Sequence, residues 1–293
     1  MTPDADPGQG QAQLPLEAWG RRLLASLQRR SDRTAFGRFA FEFLMFGLKQ
    51  GWACVFGALM LGLLFTTHLL WPSHAPIARY DAVFLAAVVI QFAMLALKLE
   101  DMREARAILI FHLVGTGMEL FKTAHGSWSY PEAGLIRLGN VPLFSGFMYA
   151  SVGSFIARIW RIQYLRFSRY PPVWETWALA VAIYANFFLD HYGIDLRWGL
   201  FAATAWVFRH TWIVFRPDRI DRRMPLLVAL VLTALFIWLA ENFATFSHAW
   251  LYPAQRHGWT MVGPEKLGSW VLLAIISFVL VTLVRRPEAP GSA

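Results

Sequence analysis

Two stretches of this chain carry the residue types that acid–base chemistry needs, in the same order. The first reads Glu119-Leu-Phe-Lys122-Thr-Ala-His125-Gly-Ser-Trp128-Ser-Tyr130-Pro131-Glu132. The second reads Glu241-Asn242-Phe-Ala-Thr-Phe-Ser-His248-Ala-Trp250-Leu-Tyr252-Pro253. Both follow one pattern: Glu, eight residues, Trp, one residue, Tyr, Pro. A carboxyl group at the end of an apolar segment is costly to ionise unless it is hydrated or paired. Kept neutral, it could protonate a double bond, with aromatic faces steadying the carbocation and an imidazole relaying the proton. On that chemistry Glu119 and Glu241 are candidate acids, and His125 and His248 candidate relays. The candidate substrate contacts are Lys122, Trp128, Tyr130, Glu132, Asn242, Trp250 and Tyr252, with Asp190 and His191 from another connection. Near them stand Gln255, Tyr192, Asp195 and Arg197. Trp and Tyr at a membrane boundary commonly form an interfacial belt. A belt does not require their recurrence with Glu and Pro at fixed spacing.

The recurrence has one offset. Glu119/Glu241, Trp128/Trp250, Tyr130/Tyr252, Pro131/Pro253 and Pro142/Pro264 are all 122 residues apart, as are Trp52/Trp174 and Met102/Met224. A fixed-offset self-match is the trace of internal duplication. The elements that must position these motifs are apolar stretches at 51–70, 82–97, 107–121, 141–157, 173–189, 198–215, 224–242 and 268–284. A membrane span takes about 20 apolar residues. The expected fold is therefore an all-α, polytopic transmembrane bundle of about eight spans. The offset maps spans one to four onto five to eight, giving a parallel 4+4 repeat about an axis along the membrane normal. The halves are residues 51–162 and 173–284 of a transmembrane domain at 50–284. The third stretch carries Gly115 and Gly117, so a tilted, irregular or re-entrant segment is expected there.

Composition supports this class and excludes others. Of 293 residues 57% are hydrophobic and 16% charged, with 14 Trp and 24 Phe. Soluble domains hold about 25% charged residues. The single cysteine, Cys54, excludes an intrachain disulfide and CxxC metal sites. The net charge of +8 fits basic cytoplasmic loops better than nucleic acid. Twenty Lys and Arg fall in alternate connections on one side and six on the other, with Arg209 inside a span. That bias predicts an inner-membrane protein with both termini cytoplasmic and the repeated motif on the outer face. Residues 1–20 lack the apolar core of a leader. Residues 1–15 read as a disordered tail, 16–49 as a cytoplasmic amphipathic segment, and 285–293 as a cytoplasmic tail.

The run from Lys122 to Glu132 containing GSWSYPE, and NVPLFSGFMYASVGSFIARIWR at 140–161, resemble a bacterial integral-membrane family catalogued as domain of unknown function 817. NFFLDHYGIDLRW (186–198), RMPLLVALVLTALFIWLAENFATF (223–246) and WLYPAQRHGW (250–259) are similar to the same family, over residues 36–284. The resemblance implies a multi-span inner-membrane protein and no particular activity. Where that pattern has His-His-Tyr, this chain has Asp190-His191-Tyr192. Glu119, Gly126, Tyr130 and Val141-Pro142-Leu143 also resemble, over about 30 residues, the bacterial carotenoid hydratases.

Three functions compete. One is an enzyme acting on a lipid or isoprenoid by acid catalysis. Another is an ion-coupled transporter or channel, with Arg209 either intramembrane or snorkelling. The third is a metal- or haem-binding protein, with His112 and His210 as axial candidates, or a non-catalytic scaffold. The outer His and carboxylates match no standard metal spacing, so no metal ligands are assigned, and no cofactor is specified. The expected partners are membrane lipids and a hydrophobic small molecule, and no nucleic acid. GxxxxGK[ST], GxSxG and GxGxxG are absent from the chain.

Overall fold

A computed structural model describes residues 26, 28, 29, 31, 33–72 and 74–290. The chain divides into two units, residues 1–48 and 49–293. In the first, helix α1 (Ala35–Ala53) opens where the Thr34 hydroxyl accepts the Gly37 N–H at 2.9 Å. The expected tail at 1–15 lies outside the described residues, as does much of the segment expected at 16–49.

In the second unit each of the eight apolar stretches holds a helix: α2 (Val55–Leu70), α3 (Arg79–Ala96), α4 (Met102–Ala124), α5 (Phe144–Ile162), α6 (Val173–Leu189), α7 (Arg197–Phe208), α8 (Leu226–Phe246) and α9 (Lys266–Val281). Helices α4 and α8 end 122 residues apart, and α5 and α9 begin 122 apart. Helices α3, α4 and α8 are long and apolar enough to cross a membrane, and a fourth crossing is counted when α1 and α2 are taken together.

The third stretch is neither irregular nor re-entrant. Helix α4 runs unbroken for 23 residues from a capping box between Asp101 and Glu104. Its Gly115 serves close packing instead. A Cβ there would stand 2.6 Å from Cγ of Tyr149 on α5, and one at Gly153 of α5 would stand 2.5 Å from Phe111.

The expectation of an all-α chain is also corrected. The sixth stretch stops being helical at Phe208, and Trp212-Ile-Val-Phe215 forms β4. β-branched and aromatic residues suit a pleated strand. Strand β4 lies between β3 (Arg166–Ser168) and β5 (Arg222–Pro225), antiparallel to both, with Ile213 opposite Phe167 and Met224. Arg209 is therefore outside the helix and exposed, its guanidinium 3.8 Å over the Trp206 ring. A second antiparallel pair, β1 (Arg137–Leu138) and β2 (Val141–Pro142), turns through Gly139 at φ 53°.

Apolar side chains face outward as well as into the core. Large apolar side chains such as Phe92, Leu113 and Phe236 are 68%, 63% and 70% exposed, while Arg158 is fully buried. Arg158 of α5 lies 2.6 Å from Glu100 and 3.6 Å from Glu104, and Arg161 and Arg285 also reach Glu104. These ion pairs tie the start of α4 to the end of α5. Glu119 and Glu241 lie at the opposite ends of α4 and α8.

Candidate functional site

Helices α4 and α8 stop in the same way. After α4, Gly126 takes a left-handed conformation at φ 71°; its N–H reaches the Thr123 carbonyl at 3.1 Å and the Ser127 N–H reaches Lys122 at 3.0 Å. After α8, His248 stands at φ 54°, its N–H reaching Thr245 at 3.0 Å and the Ala249 N–H reaching Ala244 at 3.0 Å. Both are Schellman caps, which reverse the chain over the last turn of a helix. Every bonded residue in one has its counterpart 122 positions on in the other. The caps turn each Trp-x-Tyr-Pro segment back over the helix it follows.

Each segment then binds the carboxylate it was spaced from. Glu119, 4% exposed, accepts Trp128 Nε1 at 2.8 Å, the Tyr130 hydroxyl at 2.7 Å and the Tyr149 hydroxyl at 2.8 Å. Glu241, 3% exposed, accepts the Tyr252 hydroxyl at 2.6 Å and Trp270 Nε1 at 2.6 Å. Tryptophan is a donor only, and an ionised carboxylate only accepts. Burial, and then the charge of Glu119 or Glu241, pushes the Tyr130 and Tyr252 phenols well above their ordinary pKa, so both keep their protons to donate. The two carboxylates are thus filled with donors and clamp their loops. Half-buried Trp250 lies beside the Tyr252 hydroxyl, and Trp270 supplies the indole to Glu241.

The two loops also meet. Ser129 and Leu251 exchange both N–H···O bonds, each 2.9 Å, and the Trp128 and Tyr252 rings are 6.1 Å apart, edge to face. Arg79, at the start of α3, joins the same end. Its guanidinium grips Glu132 at 2.6–2.9 Å and donates to the carbonyls of Ser247 and His248 at 3.2 and 2.9 Å. It is thereby a cation at the C-terminus of α8, where the helix dipole favours one.

Beside the first cap lies a polar cluster of a different kind. Asp190, His191 and Tyr192 form one 3-10 turn after α6. His191 Nδ1 is 2.6 Å from Asp190 Oδ1, and its Nε2 is 2.9 Å from the Ser127 hydroxyl. Lys122 Nζ lies 3.2 Å from Asp190 and 3.3 Å from His191 Nδ1. His125 stacks over Phe121 at 4.0 Å and lies 5.1 Å from the His191 ring. A carboxylate on one imidazole nitrogen and a hydroxyl on the other is an arrangement for moving a proton.

The structure therefore sorts the residues expected to line one site. Lys122, His125, Asp190 and His191 come together. Glu119, Trp128, Tyr130, Glu241 and Tyr252 build the clamps, and Trp250 stands beside Tyr252 without reaching Glu241. Glu132 is held by Arg79. Asn242 accepts the Val262 N–H at 2.8 Å and donates to Trp238, and Gln255 accepts the Tyr252 N–H at 3.1 Å. Asp195 accepts the N–H of Arg197 at 3.0 Å, at the start of α7. His248 packs on His68, 4.8 Å between rings, beside a cavity of about 310 Å³ lined by His68, Arg79 and Glu132. His112 rests on Phe147 at 4.7 Å, and His210 is exposed in the turn after α7. The sequence reading missed Ser127, Tyr149, Trp270 and Arg79. Tyr149 and Trp270 lie inside apolar runs with no spacing to mark them. Two further identities at the same offset, Phe121/Phe243 and Thr123/Thr245, mark the helix turns leading into the caps.

Fold and site together define a helical protein with apolar outer faces and a polar end closed by two matched, carboxylate-clamped loops. The chain belongs to the family described as Protein of unknown function (DUF817), which matches residues 42–278. It is 40% identical over 254 residues to the Uncharacterized protein YoaT of Bacillus subtilis (strain 168), covering 86% of this chain and 96% of that one. A crystal structure of a cross-linked MvINS trimer aligns with a TM-score of 0.46 at 12% identity, over 64% of this chain and 98% of that chain. That likeness is too slight to carry an argument. Neither the family nor YoaT supports the local likeness to carotenoid hydratases.

Proposed function

We propose that this chain is a polytopic membrane protein of eight crossings in two parallel four-helix halves, and that it is an enzyme turning over a lipid-class substrate at the end closed by the paired loops. The apolar outer faces and buried charges suit a lipid solvent. The matched caps, clamps and helix ends at one offset support the 4+4 arrangement, and the basic bias supports an outward-facing position for the paired loops.

The observation that carries the enzymatic reading is the chain of contacts from Asp190 through His191 to Ser127. Asp190 is nearer to Nδ1, at 2.6 Å, than the Lys122 ammonium, at 3.3 Å. The tautomer with its proton on Nδ1 presents the Nε2 lone pair to the Ser127 hydroxyl, and in that tautomer His191 is the general base. Glu119 and Glu241 hold the loops instead of protonating substrate, because their oxygens face donors.

Purified protein in nanodiscs made from bacterial lipid extract is expected to convert a lipid, read by mass spectrometry, and His191→Gln is expected to lose the conversion. Equal conversion by wild type and His191→Gln would sink the assignment. Topology is read separately in a Cys54→Ser background. Leu135→Cys and His257→Cys are expected to react with an impermeant maleimide on intact cells, and Ile220→Cys only after lysis. Transport is the second reading. It is favoured by the fully buried Arg158 between Glu100 and Glu104, since buried charge in a membrane protein commonly marks an ion path.

A further inference from the structure

We propose that Ser127 is a nucleophile, and that the reaction is transfer of an acyl group from a carboxylic ester with an apolar chain to water. The proposal rests on the reading above that this end of the protein turns over a lipid-class substrate.

The geometry is that of a nucleophile, its base and the group orienting the base: 2.9 Å from the Ser127 hydroxyl to His191 Nε2, then 2.6 Å from Nδ1 to Asp190. Such a constellation is recognised by geometry and roles, not by chain order. All three parts are held. The Ser127 backbone is fixed by the cap bond to Lys122, Asp190 and His191 share one turn, and Lys122 Nζ lies 3.2 and 3.3 Å from the two Asp190 oxygens. His125 Nδ1 is occupied by the Phe121 carbonyl at 2.9 Å. Gly126 is exposed with open space where a side chain would stand, which leaves room for a substrate over the serine.

The cap at His248 is an internal control. It has the same backbone bonds, yet Ala249 stands in place of Ser127 and Ala244 in place of Lys122. His68 and Leu69 stand in place of Asp190 and His191. The turn forms with Ala249 and Ala244, without a hydroxyl or an ammonium at those two positions. The cap at Gly126 has Ser127 and Lys122 there for another reason.

The step balances without a further reactant. Ser127 Oγ bonds to the ester carbonyl carbon as its proton passes to His191 Nε2. The bond from that carbon to the alcohol oxygen breaks, and the alcohol leaves with the proton from Nε2. Water then adds to the acyl-serine with His191 again as base, releasing the carboxylic acid and restoring the serine.

The test is labelling of the full-length protein in detergent micelles with an alkyl fluorophosphonate, followed by peptide mass mapping. One adduct per chain on Ser127 is expected, absent in Ser127→Ala and formed at least about a hundredfold more slowly in His191→Gln. Ser127→Ala copies the residue already present in the second cap, so the fold is expected to survive it; size-exclusion and tryptophan fluorescence verify this. No adduct on Ser127 of the folded wild type, or labelling indifferent to His191→Gln, would overturn the proposal. Lipid conversion kept in Ser127→Ala but lost in His191→Gln overturns acyl transfer and leaves the general-base reading. An adduct on Ser127 with no lipid converted leaves the nucleophile and overturns the lipid reading.

Discussion

Ser129 and Leu251, 122 residues apart, are hydrogen-bonded to each other through both backbone N–H groups at 2.9 Å. An antiparallel pair has a local twofold axis through its centre. In the 4+4 arrangement proposed above, such a pair would lie on the axis relating the two halves. Bonded pairs of this kind have Cα atoms about 5.5 Å apart, within reach of a disulfide. Ser129→Cys with Leu251→Cys, in a Cys54→Ser background, is expected to cross-link within the chain on mild oxidation. Failure to cross-link in the folded protein would place the loops apart.

The clamps differ in strength. Glu119 accepts three side-chain donors and Glu241 two. Hydrogen bonds to a charged acceptor contribute about 1.5–3 kcal/mol each. Gln in either place turns one acceptor into a donor facing donors. Glu119→Gln is expected to lower stability by about 3 kcal/mol and Glu241→Gln by about 2 kcal/mol, read as thermal midpoints in detergent. Tyr130→Phe and Tyr252→Phe each remove one bond and are expected to cost less.

The two caps differ in strain. Gly126 takes its left-handed φ freely, whereas His248 holds a similar one with a Cβ, at a cost of about 1 kcal/mol. Gly126→Ala is therefore expected to destabilise by about 1 kcal/mol, since nothing crowds its Cβ. His248→Gly should gain a similar amount, less what the packing on His68 contributes. A melting curve of each against wild type checks both signs.

Asp221, next to β5, shows how pH acts on the sheet. Hydrogen bonds from Arg216 and then Arg166 pull its carboxyl down to about 2. The unfolded value is about 3.9. Because the folded pKa is depressed, the contribution is present above about pH 4 and lost as pH falls towards about 2. The group is exposed, so salt screens the effect. Amide exchange across Trp212–Pro225 is expected to quicken between pH 4 and pH 2 in wild type, with Asp221→Asn fast throughout and flat in that window.

The sequence predicted much of this architecture because the forces behind it are periodic or compositional. Apolar runs located eight helices, and the offset between Glu119 and Glu241 located both loops. Contacts set by three-dimensional approach escaped it. Gly115 read as a sign of a tilted, irregular or re-entrant segment, yet it makes room for Tyr149, whose hydroxyl then reaches Glu119. Trp212–Phe215 read as the end of a span because an apolar run cannot distinguish a short strand from a helix end. Ser127 could be found only by looking from His191, since a lone serine in a loop carries no signal. The clamp role of Glu119 was hidden for a related reason. Spacing places a carboxyl group without showing how many donors surround it.

The other end of the bundle holds its most exacting polar contact. Arg158 is fully buried with Glu100 at 2.6 Å and Glu104 at 3.6 Å, and Ser154 and Gln91 also donate to Glu100. Removing one member of a buried ion pair strands the other and costs about 3–5 kcal/mol, whereas replacing the whole set with apolar groups of similar size is often tolerated. Arg158→Met alone is thus expected to lower the thermal midpoint sharply. Arg158→Met combined with Glu100→Gln and Glu104→Gln should recover part of the loss. If the pairs serve only to hold α4 against α5, the combined variant is expected to keep the lipid conversion proposed for wild type. Loss of that activity in a chain whose melting has recovered would assign the buried charges a part in function, as the transport reading requires.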